Sequence, residues 1–422
     1  MRILMLTWEY PPQVVGGLGR AVADLSETIA LQGHDVRVIT NGYPGCEPEE
    51  MREGVKVYRT NMFHPQPLNF LDSVLYLNFN LIQRANQLFL EGWEWDILHV
   101  HDWLVAHAGS VLKHSTRRPL LATIHATEWG RNNGIHNDLQ RHISDIEWWL
   151  AYEAYHVICC SDYMLEEIKQ VYQVPSDKIS VIPNGVYPEN FKKCHDDLKN
   201  FKRSYALEDE DIVFFVGRLV HEKGVDTLLE SVPLVLSEHP AAKFIVAGKG
   251  PALDYLRHKS WEMGVGHKVF FPGFIDDLSR NSLYRLAKVA VFPSLYEPFG
   301  IVALEAMAAQ APLVVSDVGG LREIVRHGVN GLTFYAGNSR SLADNILAML
   351  KAPKFARELA SKAYFEVHEK YSWEAIGKQT LKICSELMER NADYVAQTSR
   401  IPKDLPHLQA IERYQETANG IR

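Results

Sequence analysis

The chain has 422 residues, of which 46% are hydrophobic and 23% are charged, and its formal net charge is −8. This length exceeds what one hydrophobic core usually organises, so we expect two domains of ordinary size. The acidic balance, with no basic tract, excludes nucleic acid as the default partner, and the composition excludes wholesale disorder.

Signals for export, membrane insertion and metal binding are missing from the sequence pattern. The N-terminal MRILMLTWEY holds a short apolar strand instead of the longer apolar core of a signal peptide, and no transmembrane stretch is found. The five cysteines have neither zinc-site nor disulfide spacing. We therefore expect a cytoplasmic protein with reduced cysteines.

The first 190 residues alternate strands with helices, which predicts a doubly wound parallel sheet. Apolar runs predict the strands and amphipathic runs the helices. The strands are 2–7, 35–40, 55–60, 96–100, 120–125 and 155–160. The first helix runs from the glycine loop to residue 32, and the others are 70–91, 103–114 and 137–153. Four aromatic residues near the last helix are expected in the core: Trp148, Trp149, Tyr152 and Tyr155.

A second domain, 210–370, is predicted after a polar stretch that follows the turn IPNGV (182–186). The alternation then restarts. Its strands are 211–216, 243–247, 268–271, 288–293 and 312–316, and its helices are 224–238, 252–263, 277–287, 339–350 and 354–369. An apolar stripe in 372–390 needs a partner surface, and 391–422 is expected to be a tail. The prediction is an α/β protein with two doubly wound, Rossmann-like domains facing a cleft.

The stretch 293–317 carries the densest candidate chemistry of the second domain. Pro298 follows Glu297, and proline is typical of the first helical turn, so the helix start is expected to form an anion-binding end facing Glu297. Its free N–H groups belong to three residues, Phe299, Gly300 and Ile301.

Glu305 is the second carboxylate of this stretch. Positions 297 and 305 fall within roughly 80° of each other around a helix axis, so both carboxylates can face one cleft. From spacing alone, an N-capping glutamate plus a solvated helix glutamate explains the pattern as well.

Two cations and a glycine loop are placed at predicted strand ends. Arg218 and Lys223 follow strand 211–216, where they can neutralise a leaving diphosphate without a metal. A surface ion pair and a helix-capping lysine are the alternatives. Gly16 and Gly17 allow close approach of a phosphate, although the same turn also serves as a tight strand-to-helix connection.

Histidines and an aspartate follow two strands of the first domain. His99, His101 and Asp102 end strand 96–100 and His125 ends strand 120–125, so these side chains are expected to converge on the crevice. A zinc site lacks a complete ligand set, and histidines satisfied within the core are the stronger alternative. The pair Asp276-Asp277 is expected to cap a helix.

Nine segments together resemble the retaining glycosyltransferases of family 4, nearest to the bacterial glycogen and starch synthases. They are WEYPPQVVGGLG (8–19), ILHVHDW (97–103), ATIHATE (122–128), VIPNGV (181–186), VGRLVHEKG (216–224), VAGKGP (246–251), PGFIDD (272–277), PSLYEPFGIVALEAMA (293–308) and SDVGGLREIV (316–325). The resemblance implies the two-domain GT-B fold, with segment 372–390 crossing back to the first domain.

The resemblance also implies roles for the second-domain residues. Arg218 and Lys223 match residues that hold the donor diphosphate, Glu305 matches one that binds the donor ribose, and Glu297 matches one that contacts the donor sugar. Backbone N–H groups of Phe299, Gly300 and Ile301 match groups that serve the sugar and phosphate.

In the first domain, the resemblance places His125 against the donor sugar, Asp102 near the reacting centre and the Gly16-Gly17 loop over the phosphates. The synthases commonly carry a lysine two residues before the glycine pair, where this chain has Val14. That departure leaves the nucleotide open.

The resemblance implies a metal-independent hexosyltransferase that moves a sugar, glucose being expected, from an ADP-, UDP- or GDP-sugar to an acceptor hydroxyl with retention. No cofactor is expected, and a homo-oligomer is possible. The acceptor pocket is expected in loops 61–72 and 126–140. Two alternatives are a hydrolysing nucleotide-sugar epimerase on the same fold and a noncatalytic nucleotide-sugar-binding protein.

Overall fold

The computed structural model describes residues 1–60 and 67–398, with side chains described as far as residue 391. Residues 61–66, in a predicted acceptor loop, and 399–422, in the predicted tail, lie outside the described residues. Among the helices of the described ranges, none combines the length and the apolar character needed to cross a bilayer.

The first sheet contains these strands: β1 (Arg2–Leu6), β2 (Asp35–Asn41), β3 (Glu49–Arg52), β4 (Val55–Thr60), β5 (Ile97–His101), β6 (Leu120–Ile124), β7 (His156–Cys159) and β8 (Ile179–Val181). Their order is β3-β4-β2-β1-β5-β6-β7-β8. The order reverses at β1, where Ile3 lies opposite Val36 of β2 on one side and Ile97 of β5 on the other. All pairs are parallel except β3 with β4.

The second sheet contains β9 (Asp211–Val216), β10 (Ala242–Ala247), β11 (Val269–Gly273), β12 (Val289–Phe292), β13 (Leu313–Ser316) and β14 (Leu332–Phe334). The strands are parallel, in the order β11-β10-β9-β12-β13-β14. The order reverses at β9, where Val213 lies opposite Phe244 of β10 and Val289 of β12.

Helices connect the strands of both sheets. Those of the first half are α1 (Gly17–Leu31), α2 (Phe70–Leu90), α3 (Ala106–Thr116), α4 (Glu128–Asn132), α5 (Asp138–Glu153), α6 (Asp162–Tyr172) and α7 (Leu198–Lys202). Those of the second half are α8 (Val225–Glu238), α9 (Leu253–Glu262), α10 (Asp277–Leu286), α11 (Ile301–Ala308), α12 (Leu321–Ile324), α13 (Ser339–Lys351), α14 (Pro353–Lys370) and α15 (Trp373–Thr398).

Helices cover both faces of the first sheet, which explains why its central strands are apolar throughout. Every residue of β5 and β6 is buried, as expected of a parallel sheet with helices on both faces. In β1, Leu4 and Leu6 pack with the core under α2, whereas Ile3 and Met5 pack with α1 and α15.

Helix α15 packs on the first domain through its apolar stripe. The stripe residues are all buried and share a core cluster with β1 and α1: Trp373, Ile376, Leu381, Cys384 and Leu387. At Gly377 a side chain would meet Thr28 of α1, so the two helices are in close contact. The helix continues to Thr398, so the segment predicted as a tail from 391 begins as helix.

Two of the predicted core aromatics are exposed instead. Trp148 is 47% and Tyr152 67% exposed, and their rings stack on each other at a centroid distance of 5.6 Å on the outer face of α5. The residues that α5 does bury include Ile146 and Leu150, one turn apart on its inner face. The aromatic content of this helix therefore misled the prediction, because helical position and not residue type decides which face is buried.

Candidate active site

Both sheets carry their candidate site residues where the strand order reverses. Ligands in open α/β sheets bind outside the carboxyl ends of the strands that flank such a reversal. Here those strands are β1 and β5 in the first sheet and β9 and β12 in the second. The two edges meet, because a Cβ atom on Gly17 would lie 3.2 Å from Cδ1 of Ile301.

Lys223 and Glu297 form an ion pair beyond the ends of β9 and β12. Lys223 ends a short 3-10 turn, and its Nζ lies 2.7 Å from Oε2 of Glu297. The Ser294 hydroxyl donates to the same oxygen at 3.0 Å. Glu297 is only 7% exposed, so its charge is balanced within the protein, and Lys223 keeps further N–H donors for an anionic ligand.

The helix after Glu297 begins later than the sequence predicts. Helix α11 starts at Ile301, and Gly300 precedes it in the left-handed region with φ +108°. Pro298 is therefore outside the helix, and of the three predicted N–H donors only that of Ile301 lies within it. The Pro298 carbonyl instead accepts a hydrogen bond from the Ser161 hydroxyl of the first domain at 2.6 Å.

Glu305 is buried and has partners of its own. It accepts a hydrogen bond from the Tyr284 hydroxyl at 3.2 Å and lies 3.5 Å from Nη1 of Arg280. Burial holds the pKa of Tyr284 well above its usual range, so this hydroxyl stays a donor. The Glu305 carboxylate is therefore already oriented by Arg280 and Tyr284.

Arg218 pairs with a different carboxylate from Lys223. Its side chain is 45% exposed, and Nη2 lies 3.4 Å from Oε1 of Glu222, four residues further along the chain. Exposed ion pairs of this kind contribute little to stability. The guanidinium is thus accessible to a ligand at the end of β9.

Three imidazoles lie in a row beneath the first-domain edge. The rings of His99 and His101 are 4.2 Å apart, and His101 Nδ1 shares a hydrogen bond of 3.2 Å with His125 Nε2. Burial lowers the pKa of all three, that of His99 to about 3. Neutral imidazoles accept and donate hydrogen bonds, and His125 is the one nearest the surface. Within the described residues no metal-binding group of His, Cys, Asp and Glu side chains is assembled.

Asp102 is held in a strained backbone conformation at the end of β5. Its φ is +62° and its ψ 172°, a region that non-glycine residues rarely occupy. Its Oδ1 accepts a hydrogen bond of 2.7 Å from the backbone N–H of His125, and its Oδ2 lies 4.0 Å from Arg131. Strain of this kind persists only where surrounding contacts enforce it, and it is enriched at functional sites.

Sequence reasoning overlooked Glu9, which supports the glycine loop. Gly16 caps the start of α1 at Gly17, and the Glu9 carboxylate accepts a hydrogen bond of 2.9 Å from the Gly19 N–H inside that helix. Glu9 is 5% exposed, and burial raises the pKa of its carboxyl. A lone carboxylate shortly after the largely apolar strand β1 was the available signal.

An ion pair crosses between the domains near Glu305. Arg20 of α1 reaches Asp277 of α10 at 2.7 Å. The neighbouring Asp276 caps α10 by accepting from the Ser279 N–H at 2.7 Å, as predicted for the aspartate pair. Asp277 instead joins the charges that surround the cleft, a contact that no local pattern indicates.

Comparison with known proteins identifies the two halves separately. Residues 15–190 match the family described as Glycosyltransferase Family 4, and residues 196–365 match Glycosyl transferases group 1. The chain is 40% identical over 397 residues to an uncharacterized glycosyltransferase of Methanocaldococcus jannaschii, covering 92% of this chain and 100% of that protein. It is 34% identical to the glycogen synthase of Mycobacterium tuberculosis, covering 91% and 94% of the two chains.

Two synthases are among the solved structures with the same fold. Sucrose-phosphate synthase from Thermosynechococcus elongatus superposes with a TM-score of 0.80 at 24% identity, covering 92% of this chain and 99% of that one. The catalytic domain of starch synthase IV from Arabidopsis thaliana, bound to ADP and acarbose, gives 0.75 at 17% identity, covering 92% and 99%. These likenesses confirm the GT-B fold predicted from the sequence.

Proposed function

Since this chain belongs to glycosyltransferase family 4, we propose that it is a retaining hexosyltransferase that moves a sugar, glucose foremost, from a nucleoside-diphosphate sugar to an acceptor hydroxyl. The Lys223–Glu297 pair carries the proposal. Lys223 offers a cation to the leaving phosphate, and the adjacent buried carboxylate of Glu297 can stabilise positive charge on the sugar. The pair lies where the strand order reverses, which is where ligands bind in open α/β sheets.

The leaving group requires cations that stabilise its negative charge. A nucleoside diphosphate departs with at least two negative charges, and Lys223 and the accessible guanidinium of Arg218 both follow β9. Lysine offers a point charge and arginine a planar fork that matches phosphate oxygens. These two side chains supply positive charge from the chain itself, so we propose that no metal or resident cofactor is required.

The sugar reacts between the two domains. In the proposed step the C1–O bond to the donor phosphate breaks, the acceptor oxygen bonds to C1 from the same face, and the acceptor proton passes to the departing phosphate oxygen. Glu297 stabilises the positive charge that develops on the sugar, and neutral His125 offers a hydrogen bond to a sugar hydroxyl.

The carboxylates near the reacting centre favour this same-face attack over a covalent intermediate. Glu297 is engaged by Lys223 and Ser294, and Asp102 by the His125 N–H and Arg131. These partners neutralise part of the negative charge of each carboxylate, which makes it a weaker nucleophile towards C1.

A donor screen tests the proposal. ADP-, UDP- and GDP-glucose are each offered with an α-glucan, the acceptor suggested by the glycogen synthase relative, and without acceptor, while nucleoside diphosphate release and the anomeric configuration of the product are followed. Release that depends on acceptor, with an α-linked product, supports the proposal. Release without acceptor points to the epimerase alternative, and donor binding without release to a noncatalytic binding protein.

The same assay in excess chelator tests the metal-free chemistry. Activity should persist after chelation. A loss that magnesium or manganese restores would refute the metal-independent part of the proposal, while leaving the donor assignment in place.

A further inference from the structure

Tyr296, the residue before Glu297, crosses from the second domain into the first. Its side chain is 8% exposed, and its hydroxyl donates to Oε1 of Glu167 on α6 at 3.0 Å. The ring packs on Gly130 of α4, where any side chain would overlap it. An ordered aromatic side chain whose hydroxyl is bonded inside the other domain fixes the backbone that carries Glu297.

Glu167 also receives a hydrogen bond from the loop that carries His125. The Thr127 hydroxyl donates to the same Oε1, and it accepts from the Gly130 N–H at 2.9 Å, which caps α4. Thr127 lies two residues after His125. One buried carboxylate oxygen of α6 therefore joins two loops from different domains, one carrying His125 and the other carrying Glu297.

The first turn of α6 holds the same second-domain loop on the far side of Glu297. The Ser161 hydroxyl donates to the Pro298 carbonyl at 2.6 Å. The Glu323 carboxylate of α12 accepts from the N–H groups of Asp162 and Tyr163 at 3.0 and 2.8 Å. Loop 296–298 is thus fixed to α6 before and after the carboxylate that pairs with Lys223.

We propose that Glu167 is a positioning residue: through Tyr296 and Thr127 it sets the separation of Glu297 and His125 across the cleft. This inference rests on the proposed function and adds to it a residue outside the site. The network spans the domain interface, so it forms only when the two domains are correctly placed. A misplacement of reacting groups by about 1 Å can cost a hundredfold in rate.

The test replaces only the bonding atoms. Tyr296→Phe removes the hydroxyl and keeps the ring on Gly130, and Glu167→Gln keeps the size of the side chain. The matched control is Tyr172→Phe, because the Tyr172 hydroxyl also donates to a buried glutamate, Glu147, but entirely within the first domain.

We expect kcat to fall between about tenfold and a hundredfold in Tyr296→Phe and Glu167→Gln, with the donor KM within about twofold of wild type. The loss in the double variant should be smaller than the two single losses combined, because both changes act on the contact between Tyr296 and Glu167. The control should keep its kcat while losing comparable thermal stability. A loss of turnover no larger than that of the control overturns the proposal.

Hydrogen exchange separates this inference from the proposed function. The amides of residues 296, 297, 299 and 300 should exchange faster in Tyr296→Phe than in wild type and the control, whether or not a donor is ever turned over. Unchanged exchange there overturns the positioning role. If Tyr296→Phe does not fold, Glu167→Gln tests the proposal instead. Its kcat and its hydrogen exchange are then compared with those of wild type and the control by the same criteria.

Discussion

Replacing Lys223 by alanine is the sharpest test of the site, because the chain offers a geometric twin. Lys223 Nζ lies 2.7 Å from Glu297, with side chains 21% and 9% exposed. Lys268 Nζ lies 2.8 Å from Glu210, with side chains 20% and 9% exposed. The second pair lies before β9 and β11, at the sheet edge opposite the candidate site. Distance and burial therefore match, and only location differs.

Both alanine variants should lose similar stability. Each leaves a mostly buried carboxylate without its charge-assisted hydrogen bond, which costs roughly 1.5–3 kcal/mol. Only Lys223→Ala should lose turnover, since it removes a preorganised cation from the leaving group. A loss of about a hundred- to thousandfold in kcat/KM corresponds to roughly 2.7–4 kcal/mol.

Thermal unfolding and steady-state kinetics of both variants measure the two effects. The double variant of Lys223→Ala with Glu297→Gln should lose less than the sum of the single losses, because the two groups are in contact. A Lys223→Ala enzyme that keeps more than half of the wild-type kcat/KM, or a Lys268→Ala enzyme that loses as much, would refute the role of the pair.

Three further outcomes follow from the geometry. Glu305→Gln should mainly weaken donor binding, by roughly 1.5–3 kcal/mol, whereas Glu297→Gln should mainly lower kcat; steady-state kinetics showing the reverse would exchange the two roles. Gly300→Ala should lower the thermal midpoint and abolish turnover, because alanine at φ +108° is strained by about 1–3 kcal/mol and its Cβ would meet Leu321. A thermal midpoint equal to that of wild type would contradict this prediction. Burial raises the pKa of Glu147 to about 8, so its carboxyl contributes stability while protonated and loses that contribution as pH rises towards 8. The thermal midpoint of wild type, measured relative to that of Glu147→Gln, should therefore decrease as pH is raised from 5 to 8. A difference that stays constant over this range would argue against the raised pKa.

Residue pattern alone was enough to predict where most of the candidate residues lie. Runs such as DIVFFV and ILHV are mostly buried and could be placed as parallel strands, because they are short and rich in β-branched and other apolar residues. Polar residues that directly follow such strands must then lie at one sheet edge. That is why the positions of Lys223, Asp102 and His125 followed from the sequence.

Short or exposed elements were missed for a local reason. Strand β3, EEMR, is an exposed or half-buried edge strand with no apolar run, and β14 has only three residues. Helix α6 was also missed, although Ser161 caps it and its apolar residues recur at helical spacing. Its importance to the site rests on Glu167, which no motif marks.

The sequence by itself determined the alternation of strands and helices, the two-domain α/β fold and the residues at the strand ends, because hydrophobic periodicity and chain connectivity are local properties. Only the tertiary structure decided which groups pair. Three features depend on contacts between segments far apart in the chain. They are the pairing of Glu297 with Lys223, the pairing of Glu305 with Arg280, and the start of α11 at Ile301. Such contacts are set by packing and by the satisfaction of buried polar groups, which a single sequence does not display.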